Sequence, residues 1–212
     1  MGGLLFRFAD APFMALIDIL AILIALTVHE WAHAKMADKL GDPTPRLQGR
    51  VTLDPRAHLD PIGTLLILFV GFGWGKPVRF DPYNLENPRQ DGMKIAFAGP
   101  ASNIIMAFAT SLILKVTLLT VGTLNPYVAE AFLAFITLNI FLAIFNLLPV
   151  EPLDGFKVVA GLLPEDQAEK WQTLAPYGMF FLIILLFPIG GGQAPGIMIV
   201  STVSRWILQF LL

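Results

Sequence analysis

His29-Glu30-Trp31-Ala32-His33 is an HExxH motif inside a long apolar run, and no other pattern in the chain carries as much chemistry. Four residues at about 100° each leave the two imidazoles about 40° apart on a helix, one turn from each other, so both reach a single metal ion. Glu30 stands beside them, where a carboxylate can take a proton from an activated water. Two imidazoles fall short of the three protein ligands of a typical catalytic zinc site, so a third donor must come from elsewhere. The sequence has no cysteine, so that donor is a nitrogen or an oxygen. In one soluble class of zinc protease a further His follows six residues after the second, but Lys39 occupies that position here. His58, Glu86, Glu151 and Asp154 remain. Asp154 is favoured, because Pro149 and Pro152 break the helix ahead of it and can turn its carboxylate back toward the bundle; the plainer reading is a helix-capping Asp followed by Gly155.

The elements that must hold these residues belong to a membrane protein. Of 212 residues 56% are hydrophobic and 14% charged. That excess is too large for a soluble core and predicts an all-α polytopic membrane protein, because only helices satisfy their own backbone groups in lipid. The apolar runs predict five spans, at about 11–37, 92–119, 127–149, 172–188 and 195–212, with a weaker sixth stretch at 60–73. The segment 71–88 is punctuated by Gly and Pro and is predicted to form short extended β pieces. Arg7 ahead of an apolar run, with Ala32-His33-Ala34 imitating a cleavage site, has the look of a secretory signal. The run is long enough to span, however, and basic residues follow it, as they follow a permanent membrane helix. The whole of 1–212 reads as one membrane-embedded domain with no separate soluble domain. A net charge of -2 without a basic stripe argues against a nucleic-acid partner.

Loop charges predict the orientation. Lys39, Arg46, Arg50 and Arg56 cluster in 38–58, whereas 120–126 and 189–194 carry no charge, so the first faces the cytoplasm and the others the outside. The stretch 59–91 then enters and leaves by one face, as a re-entrant or membrane-surface element. His29 lies about 27 Å along a helix entered from outside, which places the metal toward the cytoplasmic side.

Asn146-Leu147-Leu148-Pro149-Val150-Glu151-Pro152-Leu153-Asp154-Gly155, following the HExxH, with Gly99-Pro100-Ala101-Ser102-Asn103 opening a span between them, resembles the site-2 protease family of intramembrane zinc metalloproteases. The resemblance covers about 15–160. It implies one zinc per chain held by His29, His33 and Asp154, with Glu30 as catalytic acid and base. It also implies a single-span membrane protein as substrate, a β element near 71–80 that steers it, and a multi-pass location, here the plasma membrane of a prokaryote. Glu151 departs from the family pattern, which usually has an uncharged residue there. No accessory sensing domain is recognisable, so any regulatory membrane partner is unknown.

Asn103 is expected to donate to the developing oxyanion or the substrate backbone, against the alternative of an ordinary inter-helix hydrogen bond. Asn139 and Asn146 read as structural amides. Asp18 and Lys115, two charges at similar depth near the outer surface, are expected to form an ion pair between their spans, against independent snorkelling to the interface. His58 reads as an interfacial or capping residue, and Trp74 and Trp171 as interface anchors. A secondary transporter or metal permease would also place His, Asp and Glu in the membrane, but no inverted repeat is visible. An inactive, helix-escorting relative is opposed by the intact motif.

Overall fold

A computed structural model describes residues 4–71, 73–188 and 192–212. A short helix α1 (Leu4–Asp10) leads into α2 (Pro12–Lys39), α3 (Thr44–Leu47), α4 (Pro61–Val70), α5 (Pro88–Val121), α6 (Pro126–Asn146), α7 (Asp154–Leu162), α8 (Glu165–Gln172), α9 (Gly178–Leu186) and α10 (Pro195–Leu211). Proline stands in the first turn of α2, α4, α5, α6 and α10, where its missing N–H costs nothing. Asp60 caps α4 through the Gly63 N–H, and Asn125 caps α6 through the Tyr127 N–H.

Three helices, α2, α5 and α6, are long and apolar enough to cross a membrane. They pack on one another through small and branched residues: Ala25, Ala107 and Ile136 are fully buried, and short side chains allow close approach of the backbones. Their outward faces stay apolar, with Leu20, Ile24, Ile105, Phe108 and Leu112 exposed, a belt suited to lipid rather than water. Five spans were expected, the last two of them short and rich in Gly and Pro. Of these two, 195–212 appears as α10, with 17 residues, whereas 172–188 yields only α9, with 9. At 1.5 Å per residue α9 covers about 14 Å of a hydrocarbon core about 30 Å thick. The expected start at 172 is displaced because α8 stops there and a turn at Ala175–Tyr177 intervenes before Gly178. Residues 189–191, half of the uncharged loop used for orientation, lie outside the described residues.

The expected β element near 71–88 is not formed among the described residues, which exclude residue 72. A single antiparallel bridge joins Leu59 to Gly75, and the Lys76 N–H donates to the His58 carbonyl at 2.8 Å. Pro77 and Pro82 have no N–H for a ladder. The chain therefore rises as α4 and returns in extended form to the level of His58.

At the far end of α6, Asn146 is the last helical residue and the chain turns through 147–153, with a cis peptide before Pro152, into α7. A Cβ on Gly155 would collide with the carbonyls of Leu147 and Leu148. Glycine at that position thus lets the start of α7 seat directly against the end of α6.

Candidate metal centre

Helix α2 presents His29 and His33 toward α5, with Glu30 next to them facing Arg50, and all three are buried. His29 Nδ1 lies 2.6 Å from Asn103 Oδ1, and His33 Nδ1 lies 2.7 Å from the Ile95 carbonyl oxygen. Both acceptors can only receive, so each Nδ1 carries a hydrogen and donates it, leaving the Nε2 lone pairs bare. Those Nε2 atoms are 3.0 Å apart, with the rings nearly perpendicular at 83°.

Asp154, in the first turn of α7, places Oδ2 at 3.2 Å from His29 Nε2 and 3.3 Å from His33 Nε2. Three electron-rich atoms facing one another at such distances repel unless a cation lies among them. Ligands bonded to zinc at 2.0–2.1 Å in a tetrahedron stand about 3.3 Å apart, so the three separations fit the ion. His29, His33 and Asp154 form the one possible metal-holding cluster among the described residues. The other candidates for third ligand lie elsewhere. His58 is fully buried with Nε2 at 2.8 Å from the Thr52 carbonyl, Glu86 is exposed, and Glu151 lines a pocket of about 300 Å³ with Phe156, Trp171 and Phe181.

Helix α5 closes the site from the other side. A Cβ on Gly99 would collide with both imidazoles at their Nε2 atoms, so the backbone comes this close only because position 99 has no side chain. Pro100, inside α5, removes the N–H that would bond the Ala96 carbonyl and perturbs the helix at this point.

The expected substrate-contacting role for Asn103 meets a different arrangement. The residue is fully buried, its Oδ1 receives from His29, and its Nδ2 donates to Asn139 Oδ1 at 2.8 Å and to the Ala25 carbonyl at 3.3 Å. Asn139 Nδ2 in turn donates to the Phe135 carbonyl at 2.9 Å. In this arrangement both sides of the amide are engaged, Oδ1 by His29 and Nδ2 by Asn139 and Ala25. The expected Asp18–Lys115 pair is also absent. Asp18 bonds Arg7, which reaches Glu130 at 3.2 Å, and Lys115 points outward from α5. The N-terminal segment folds back over α2, so a residue close in sequence outcompetes one on the neighbouring helix.

Three participants were not visible in the sequence: Gly99 as the close-approach point, the Ile95 carbonyl, and Arg50. Arg50 is buried; its Nη1 donates to the Ala57 carbonyl at 2.5 Å, its Nη2 donates to the Lys76 carbonyl, and Nη2 lies 3.8 Å from Glu30 Oε2. Burial draws its pKa below the usual guanidinium range, an effect Glu30 opposes. Only a tertiary contact could reveal it, since positions 30 and 50 share no local pattern.

Comparison with known proteins agrees with this centre. A family profile described as Peptidase family M50 matches residues 115–186. A Bacillus subtilis (strain 168) protein provisionally named zinc metalloprotease YwhC is 37% identical over 177 residues, 81% of each chain. The chain belongs to peptidase family M50, the site-2 protease family. Proteins of the same provisional naming, Rip2 of Mycobacterium tuberculosis (strain H37Rv) and Rip2 of Mycolicibacterium smegmatis, are 33% and 28% identical over 77% and 89% of this chain. The chain spans 62% and 69% of their respective lengths. No solved structure matches. The M50 chain is thus a zinc metalloprotease, and the triad of His29, His33 and Asp154 is its candidate zinc site.

Proposed function

We propose that this M50 chain is an intramembrane metalloendopeptidase that hydrolyses peptide bonds in or near the transmembrane segment of membrane-protein substrates, as in regulated intramembrane proteolysis. One observation carries the reading: a carboxylate from α7 joins two imidazoles of a membrane-length helix at 3.2 and 3.3 Å, with a buried glutamate beside them. His29, His33 and Asp154 hold the zinc. Bound there, zinc supplies Lewis acidity, lowering the pKa of a water and polarising the peptide carbonyl.

The rest of the chemistry belongs to the chain. Glu30 takes the proton of the attacking water on a carboxylate oxygen, and returns it to the nitrogen of the leaving amine as the C–N bond breaks. Asn103 and the Ile95 carbonyl keep both imidazoles in the Nδ1–H form, so each Nε2 keeps its lone pair free to bind the metal. His29 lies ten residues before Lys39, about 15 Å from the end of α2 that the basic loop marks as cytoplasmic. Water therefore reaches the centre from that side of a prokaryotic plasma membrane, and the whole chain acts as one membrane-embedded domain. The partners are a single-span substrate and the lipid around it.

The test uses the purified protein in detergent and a quenched-fluorescent single-span reporter helix that the wild type cleaves. Glu30→Gln keeps one zinc per chain and lowers cleavage to about a hundredth or less, and chelation abolishes cleavage until zinc is restored. Turnover near the wild-type rate in the zinc-loaded Glu30→Gln protein contradicts the assigned role.

A further inference from the structure

Arg50 is a buried cation that the chemistry above does not use. Its side chain is 4% exposed, yet among the described residues its Nε has no hydrogen-bond acceptor, and the one carboxylate within 4.0 Å, Glu30, is held at 3.8 Å rather than in a forked hydrogen bond. Its two carbonyl bonds tie loop segments together, but they leave Nε unpaired and place a full charge beside Glu30 without a fork, an arrangement whose desolvation is repaid only in part.

Its contacts join three pieces of the centre. Nη1 holds the Ala57 carbonyl, at the end of the turn Pro55–Ala57, and Nη2 holds the Lys76 carbonyl on the extended return segment after α4. The same Nη2 faces Glu30 Oε2. Gly75, beside the Lys76 anchor, is buried against Leu26, one turn before the HExxH. The guanidinium fork therefore sets the return segment and the Glu30 carboxylate in one frame, and at 3.8 Å it orients the carboxylate by charge without tying up its oxygens in a forked hydrogen bond.

We propose that Arg50 is a positioning residue for peptide hydrolysis, aligning the Glu30 carboxylate with the return segment at 75–76 through its two carbonyl anchors. The proposal rests on Glu30 being the acid and base. Lysine keeps the charge without the planar fork; glutamine keeps a donor without the charge. Removing a group that orients a reacting one costs about 10–100-fold in activity, and a shift of 1 Å in a reacting group reaches the upper figure.

Arg50→Gln and Arg50→Lys are compared with the wild type on the same reporter helix, with zinc content and thermal midpoint measured alongside. For Arg50→Gln the expected result is one zinc per chain and kcat lowered about 10–100-fold at KM within about twofold. Arg50→Lys is expected to recover part of that loss without reaching the wild-type rate. A folded, zinc-loaded Arg50→Gln with kcat within about twofold of wild type overturns the proposal, as does a loss that falls wholly on KM. If Arg50→Gln does not fold, Arg50→Lys decides: a wild-type kcat there overturns it equally. A wild-type-like Arg50 variant beside an inactive Glu30→Gln removes only the role of Arg50, whereas an active Glu30→Gln removes the reading beneath it.

Discussion

Replacing Gly99 by alanine should separate the metal site from the fold. The added Cβ would lie 2.6 Å from His29 Nε2 and closer still to His33 Nε2, where ordinary van der Waals contact needs about 3.5 Å. Helix α5 is packed against α2, α6 and α7 and has little room to retreat, so the imidazoles must give by about 1 Å. Zinc–ligand distances tolerate about 0.2 Å, so a displacement several times larger should weaken zinc binding at least as much as loss of an orienting neighbour does, about 10–100-fold. That is about 1.4–2.7 kcal/mol of binding free energy. The helix itself is less affected, because alanine is favoured over glycine in a helix interior by about 1 kcal/mol and the collision falls on the imidazoles rather than on backbone. The measurement is a competition between the detergent-solubilised protein and a chelator of known affinity, with helical content followed by circular dichroism. Retained helicity with weakened zinc binding is expected. A zinc affinity within about threefold of wild type would refute the close-approach argument, since a shift of 1 Å should cost more than that.

Three other outcomes follow from the same geometry. Asn103→Ala should weaken zinc binding about 10–100-fold by freeing His29 Nδ1, whereas an oxyanion role would lower kcat and leave zinc affinity unchanged; metal competition and kinetics on one preparation distinguish them. A double-mutant cycle on stability should find Arg7 and Asp18 coupled by about 1 kcal/mol or less, because Arg7 is half exposed, while the Asp18–Lys115 cycle gives none. Asp42, in the loop after α2, is buried, which by itself would raise its pKa, but hydrogen bonds from Thr44, Asn84 and the Asp81 N–H outweigh burial and hold it below the ordinary carboxylate value. A group lowered in this way adds stability above its unfolded pKa of about 3.9 and loses it as pH falls through the lower folded value. Thermal midpoints should therefore drop below about pH 4 in the wild type and drop less in Asp42→Asn, and equal slopes would count against the carboxylate.

The membrane class and the pairing of the two imidazoles were legible in the sequence, because each depends on short-range rules. Apolar length sets a span, and the helical repeat sets which side chains share a face. The motif at 146–155 marked Asp154 as a donor without showing that it arrives: the return depends on the turn through 147–153 and on Gly155 seating against α6, contacts invisible to any local rule. The span at 172–188 and the β element are shorter among the described residues than the sequence suggested, for a related reason. Apolar composition at 172–188 is membrane-like, but Gly178 and the turn before it shorten the helix, and at 71–88 extended backbone found one bridging partner where a sheet needs a ladder.

Asp18 shows the boundary most clearly. Its depth made Lys115 a reasonable partner, yet the folded N-terminus brings Arg7 to it, and Asn103 meets His29 and Asn139, two partners its sequence position did not name. Periodicity along one chain direction tells which way a side chain faces. Which of several facing groups it meets is decided by the packing of separate helices, where a buried donor or acceptor takes the nearest partner that satisfies it.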